Sequence, residues 1–325
     1  MARQRRVLIL AQIGLLNVAL SCASLFAQTP SVFAPGIISG PAHDSAPAFT
    51  PDGKTVYFSR NNAAHSTILV SHLRNGAWTK PEISSFSGEW NDMEPAMSPD
   101  GSYLVFVSNR PSHPDGKPID GFFNGKSWPE KGGNLWRVDR KGQAWHDPVR
   151  LSEEVNSSSS TFAPCVVADG SLYFMRPSPA TGKFRLFRSQ MKAGEFQPPE
   201  LILAPFDAPY SDVDTAVSPD ESFMVFGSSR PPAENMDLFI VFRKDGKWEQ
   251  PVHLGKKINS PGSEPEARLS PDQQTLYFSS DRIVATSFPR SRDAAKADLQ
   301  RLESWDNGLY NIWYVSISEW LEGRK

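Results

Sequence analysis

Apolar and polar positions along most of the chain fall into blocks whose order repeats five times. A short apolar stretch runs into a Pro-Asp-Gly type turn, and a second apolar run follows; the best copies are residues 47–59, 95–108, 164–174, 215–226 and 267–278. Within each copy the second run, such as 104–107, is apolar and reads as a second strand. Pro at the first central position sets the turn dihedral and Asp can bond the local backbone, so the tripeptide reads as a hairpin connection. Its anchors are Asp52, Asp100, Asp169, Asp220 and Asp272, spaced by 48, 69, 51 and 52 residues, the long interval carrying an insertion at 111–133. A third strand is expected at 68–70, 135–138, 186–187, 238–241 and 312–315. The fourth holds an aromatic residue three positions before Pro: Trp78 and Pro81, Trp145 and Pro148, Phe196 and Pro199, Trp248 and Pro251. Pro cannot donate to a ladder, which makes this an edge strand.

Four strands per unit of about 50 residues is the grammar of a β-propeller blade. The fifth unit has no fourth strand after Val315, but 32–38 matches that strand's pattern at the other end of the chain. The expected architecture is therefore all-β: a five-bladed propeller of four-stranded antiparallel blades, closed by an N-terminal strand that completes the last blade and removes an open edge. A second insertion, 283–308, places Ala295, Leu299 and Leu302 at helical spacing, which predicts one amphipathic helix packed on the propeller.

The repeated Ser-Pro-Asp-Gly hairpins, the endings Ser108-Asn-Arg110, Ser228-Ser-Arg230 and Ser280-Asp-Arg282, and the Asp/Asn-Leu/Ile-Trp/Phe third strands resemble the TolB-like, WD40-like (PD40-type) propeller repeats of bacterial envelopes. The likeness spans almost the whole chain after residue 27. Blades one and three depart from it, ending in Ser59-Arg60 and Met175-Arg176, and blade three has Val167-Ala168 in place of Ser-Pro. Such a resemblance implies a fold and a partner of protein or peptidoglycan-associated type, while propellers of this kind host many functions.

Composition fits this picture and adds a compartment. The 325 residues include 28 Pro, 22 Gly, 20 Phe, 9 Trp and 7 Tyr, suited to many turns between pleated surfaces. With 34 Lys and Arg against 36 Asp and Glu, no basic field exists for nucleic acid. Arg3, Arg5 and Arg6 precede an apolar run and small residues near Ala27, so 1–27 reads as an export signal and 28–325 as a single propeller domain. Acylation at Cys22, with Ala19 three positions before it, is the alternative, and an uncleaved anchor interrupted by Gln12 and Asn17 a third. Removing the signal changes the formal charge from -2 to -5 and leaves Cys165 without a disulfide partner. The expectation is a periplasmic or otherwise extracytoplasmic monomer, tethered to membrane only through a lipid.

The candidate chemistry lies where the inner strands begin. Eight residues before the anchors stand Asp44, Asp92, Thr161, Asp212 and Glu264; six before them stand Ala46, Glu94, Ala163, Asp214 and Glu266. Strict alternation would put both rows on one side, lining a channel mouth beside His43 with up to seven carboxylates. Such a cluster could bind a cationic segment of a partner, an envelope protein or glycan, or hold a divalent cation. Arg60, Arg110, Arg176, Arg230 and Arg282 end the second strands and could instead pair with these acids between blades, a structural role. A glycoside hydrolase or lyase using two of the carboxylates is the enzymatic alternative. No Gly-x-Ser-x-Gly elbow occurs, and the six His residues (43, 65, 72, 113, 146 and 253) show no zinc spacing. No organic cofactor is implied.

Overall fold

The computed structural model describes residues 29–62, 64–202 and 210–322; the expected signal segment lies outside them. Each repeat forms one antiparallel sheet, and five sheets stand around a common channel. The inner strands are His43–Phe49, Asp92–Met97, Phe162–Val166, Asp212–Val217 and the short Arg268–Leu269. Second strands are Thr55–Asn61, Tyr103–Ser108, Leu172–Pro177, Phe223–Ser228 and Thr275–Ser280, and third strands Ser66–Arg74, Asn134–Lys141, Phe184–Ser189, Asp237–Lys244 and Asn311–Ser316. Ser31–Val32 pairs with the last third strand, Val32 opposite Trp313, so the N-terminal strand completes blade five. Blade five closes on blade one through Phe33 and Ile38, which are buried with Phe49, Phe58 and Ile312.

The continuous apolar second strands are explained by what covers them. Leu104 and Phe106 point into the cluster shared with blade one, while Val105 and Val107 point into the cluster shared with blade three. Leu172 and Phe174 face blade two and Tyr173 faces blade four. The core is thus five apolar clusters, one at each blade-to-blade junction, rather than one centre. At the hairpins the anchor carboxylates accept the backbone N–H two residues on, as from Lys54 to Asp52 at 3.0 Å and from Ser171 to Asp169 at 2.8 Å. The Thr50 hydroxyl, then the Lys54 N–H, hold the Asp52 carboxyl below its ordinary range, and the Ser102 N–H with the Ser98 hydroxyl does the same at Asp100.

The outer strands differ in detail from expectation. Pro81 splits blade one's fourth strand into Ala77–Trp78 and Glu82–Ile83, both pairing with the third strand, and blades two and four repeat the split. The aromatic residues pack across the blade junctions, Trp78 meeting Phe33 of the segment that completes blade five at 5.5 Å. Trp78 and Trp145 lean onto the preceding blade, Trp145 giving its indole N–H to the Tyr57 hydroxyl at 3.1 Å. The insertions also depart from simple loops. Within 111–133 the hairpin Gly121–Phe123 and Lys126–Trp128 crosses toward blade three, bonding Ser160 and Gly182 and leaving Phe122 exposed. The helix Arg292–Ser304 forms where spacing predicted it, capped by the Ser291 hydroxyl, but it buries no residue, and Leu299 and Leu302 are each 52% exposed. Its spacing was legible; its packing on the propeller was not found.

Candidate functional site

Every inner strand of the first four blades carries one extra residue relative to its partner. In blade one the register steps from Ser45 opposite Ser59 to Ala48 opposite Tyr57, and blades two, three and four do the same between Met93 and Ala96, Phe162 and Cys165, and Val213 and Ala216. The bulges put Ala46, Glu94, Ala163 and Asp214 in the left-handed region, with φ of 48°, 51°, 52° and 54°, and Glu266 follows at 57°. This conformation costs a residue with a Cβ roughly 1–2 kcal/mol. Two of the five positions are Ala, so the bulge belongs to the architecture and the acids make use of it. The consequence overturns strict alternation: the two rows of acids do not share one side.

The first row turns away from the channel and is consumed in ion pairs. Asp44 meets Arg60 at 2.6 Å, Asp92 meets Arg110 at 3.0 Å, Asp212 meets Arg230 at 2.7 Å and Glu264 meets Arg282 at 3.0 Å, every pair within its own blade and not between blades. Each guanidinium also lies over a blade aromatic, Arg110 over Phe106 at 5.1 Å and Arg282 over Phe278 and Trp313 at 5.1 Å. Arg60, Arg110 and Arg282 further donate to the carbonyls of Ile38, Phe86 and Ile258, clamping the incoming loop. Blade three has Thr161 instead of an acid, and Arg176 turns to the Ser157 hydroxyl at 2.6 Å and the Val155 carbonyl. Burial outweighs pairing at Asp44, pushing its carboxyl up to about 6, and it raises Asp92 and Glu264 as well.

The second row faces the channel. Among the described residues no Lys or Arg nitrogen lies within ion-pair distance of Glu94, Asp214 or Glu266. Glu94 accepts the Ala163 N–H of the next blade at 2.6 Å, and its own N–H donates to Ser59 of the blade before. Glu266 accepts from Ser45 across the closing seam at 3.2 Å and from Ser279 at 2.6 Å. Burial first, then repulsion from Asp214 and Glu266, pushes Glu94 up to about 8, and burial with repulsion from Glu266 pushes Asp214 up to about 7. Their protons belong to the pair more than to either residue. His43, Ser45, Asn61, Asp214, Glu266 and Tyr310 wall a mouth cavity of about 190 Å³, where His43 Nδ1 accepts the Tyr310 N–H at 3.1 Å. Of the eight candidate ligand groups, four are thus engaged by arginine and four lie in or beside the channel. Among the described residues no group of three or more His, Cys, Asp or Glu is arranged to hold a metal ion.

Arg268 escaped the sequence reading. It stands four residues before the last anchor, where the other blades have Ala48, Ala96, Cys165 and Ala216. That break in an otherwise small-residue position was the available signal. Its charge partly offsets the repulsion at Glu94 and Asp214.

No model of a protein family matches the sequence, and no curated protein matches it. Among solved structures, the chain is similar to TolB from Acinetobacter baumannii, with 16% identity and a TM-score of 0.45 over 85% of this chain and 54% of that one. A putative TolB from Agrobacterium tumefaciens gives 15% identity and a TM-score of 0.47 over 85% and 91% of the two chains. A glycoside hydrolase gives 9% identity and a TM-score of 0.53 over 89% and 91%. The chain thus spans about half the length of the first TolB, and at these identities the likenesses describe a fold, not an activity. Among the described residues no helix is long and apolar enough to cross a membrane.

Proposed function

We propose that the protein is an exported, non-enzymatic binding module of the cell envelope that receives a cationic group of a protein partner at the channel mouth. The observation that carries this reading is the contrast in the channel wall: four acids are matched one to one with arginine, whereas Glu94, Asp214 and Glu266 are left close together with no ion-paired cation. An entering ammonium or guanidinium group would relieve that repulsion and replace the missing partner. Size supports a side chain over a glycan strand, since about 190 Å³ is below the roughly 300 Å³ at which ligand pockets usually begin. Export through residues 1–27, with release at Gln28 or acylation at Cys22, would place the module outside the cytoplasm as a monomer, and mass spectrometry of the envelope fraction distinguishes the two ends.

Capture from a solubilised envelope fraction tests the reading. The wild-type chain should retain a partner that the Asp214→Asn, Glu266→Gln variant does not, and binding should strengthen as pH rises through 7 to 8, because the cation must displace protons. Equal capture by both forms sinks it. One observation favours a second reading, a glycan hydrolase: a carboxyl held protonated near neutral pH beside other carboxyls is how a general acid is made. Turnover on a polysaccharide panel, lost in Glu94→Gln, would establish that reading instead.

A further inference from the structure

The channel has a second end. Inner strands run from the mouth toward the Pro-Asp-Gly hairpins, and at those hairpins residues from all five blades enclose a cavity of about 210 Å³. Its walls are mostly apolar, with proline and small side chains prominent: Pro47, Pro164 and Pro219 stand among them, and Ala48, Ala96, Cys165 and Ala216 occupy the repeat-equivalent position that in blade five is Arg268. Four small residues therefore make room for one guanidinium. Arg268 is only 6% exposed, and one of its terminal nitrogens donates to the Ala267 carbonyl at 2.8 Å. Its Nε and its other terminal nitrogen are buried without any hydrogen-bond acceptor. Leaving such donors unmet is unfavourable, and more so when they are charged. The acids on the mouth side are felt by Arg268 through space and do not bond it, and its charge also reaches the Cys165 thiol on the cavity side.

We infer that this far cavity is a carboxylate-binding site, in which the free N–H groups of Arg268 receive a single carboxylate carried on a small apolar body. A planar carboxylate can take two parallel N–H bonds from one guanidinium, satisfying both orphaned nitrogens at once. The apolar wall suits the body of the ligand, and the volume limits it to something smaller than a drug-sized molecule. Two sources present this chemistry: a free small monocarboxylic acid, or the C-terminal carboxylate of a peptide. The site is separate from the mouth, approached from the opposite face, and of opposite charge preference.

Isothermal titration of the full chain compares benzoate with benzamide, and a tripeptide ending in a free phenylalanine carboxylate with its amidated form. The carboxylate of at least one pair should bind about tenfold or more tightly than its amide. Benzoate binding identifies the free acid, and binding by the peptide alone identifies a chain terminus. Arg268→Gln should abolish the preference, and Ala96→Leu should weaken binding by filling the cavity. Because the carboxylate and amide arms use wild-type protein, they decide the matter even where a variant fails to fold. Equal affinity for acid and amide, no binding by either acid, or an undiminished preference in folded Arg268→Gln would overturn the assignment.

Discussion

Asp44, Asp92, Asp212 and Glu264 stand two residues before Ala46, Glu94, Asp214 and Glu266 in the same inner strands, yet the two rows live in different electrostatic worlds. The first row is buried against arginine, each guanidinium also held by an aromatic face, and in three blades by a loop carbonyl. The second projects from left-handed bulge positions into the channel, where its neighbours are other acids. In the first four blades what separates the two positions is a single inserted residue per strand, which turns one row into blade structure and leaves the other for the channel. The same contrast exists inside the first row: blade three lacks the acid, and Arg176 is satisfied by neutral oxygens.

Breaking a clamp should have the largest effect. Asp92→Ala leaves Arg110 buried with an uncompensated charge and should cost about 3–5 kcal/mol in chemical denaturation. The channel row should respond in the opposite sense. A carboxyl whose folded pKa is raised binds protons more tightly when folded, so its contribution improves as pH falls from above the folded value toward the ordinary one. Wild-type melting temperature should therefore rise by a few degrees between pH 8.5 and pH 5.5, and Glu94→Gln should raise it at pH 8.5 while flattening the slope. A slope unchanged in that variant would place the titration elsewhere. Arg176→Gln, with no carboxylate opposite it, should cost only about 1 kcal/mol, well short of Asp92→Ala; a loss as large as the latter would show that the arginine, not the pair, carries the clamp. The smallest change is expected for Ala163→Gly, within about 1 kcal/mol of wild type, since relief of the left-handed strain is set against greater freedom in the unfolded chain.

Much of the fold was legible because repetition averages out local ambiguity. One Pro-Asp-Gly turn is weak evidence, but five at comparable spacing, with the pattern of 32–38 supplying a missing strand, define blade number and closure. The candidate site was legible only in part. Its acids were found by counting back from Asp52 and its equivalents, but strict alternation assigned both rows to one side. Nothing in Ala, Glu, Ala, Asp and Glu announces a left-handed bulge, a conformation usually signalled by Gly. Arg268 was overlooked for a different reason: attention to recurring residues hides the position where recurrence fails. The leucines of Arg292–Ser304 show the limit of periodicity, which specifies a helix and not what covers it.

The seam formed by Ser31–Val32 has a consequence in time. Four junctions join neighbouring stretches of chain and can form as the blades follow one another, but the fifth brings together groups such as Ser39 and Ile312, 273 residues apart in sequence. From the unfolded chain, closing a loop of that length would cost about 5 kcal/mol in chain entropy beyond the constant term, so this junction forms most readily after the other four have brought its two sides together. Glu266 receives the Ser45 hydroxyl across this same seam, so the channel mouth acquires its final shape only when the ring shuts. Pulse-labelled hydrogen exchange during refolding should find the amides of Phe33 and Asp44 protected last, which makes the first residues of the propeller its closing clasp.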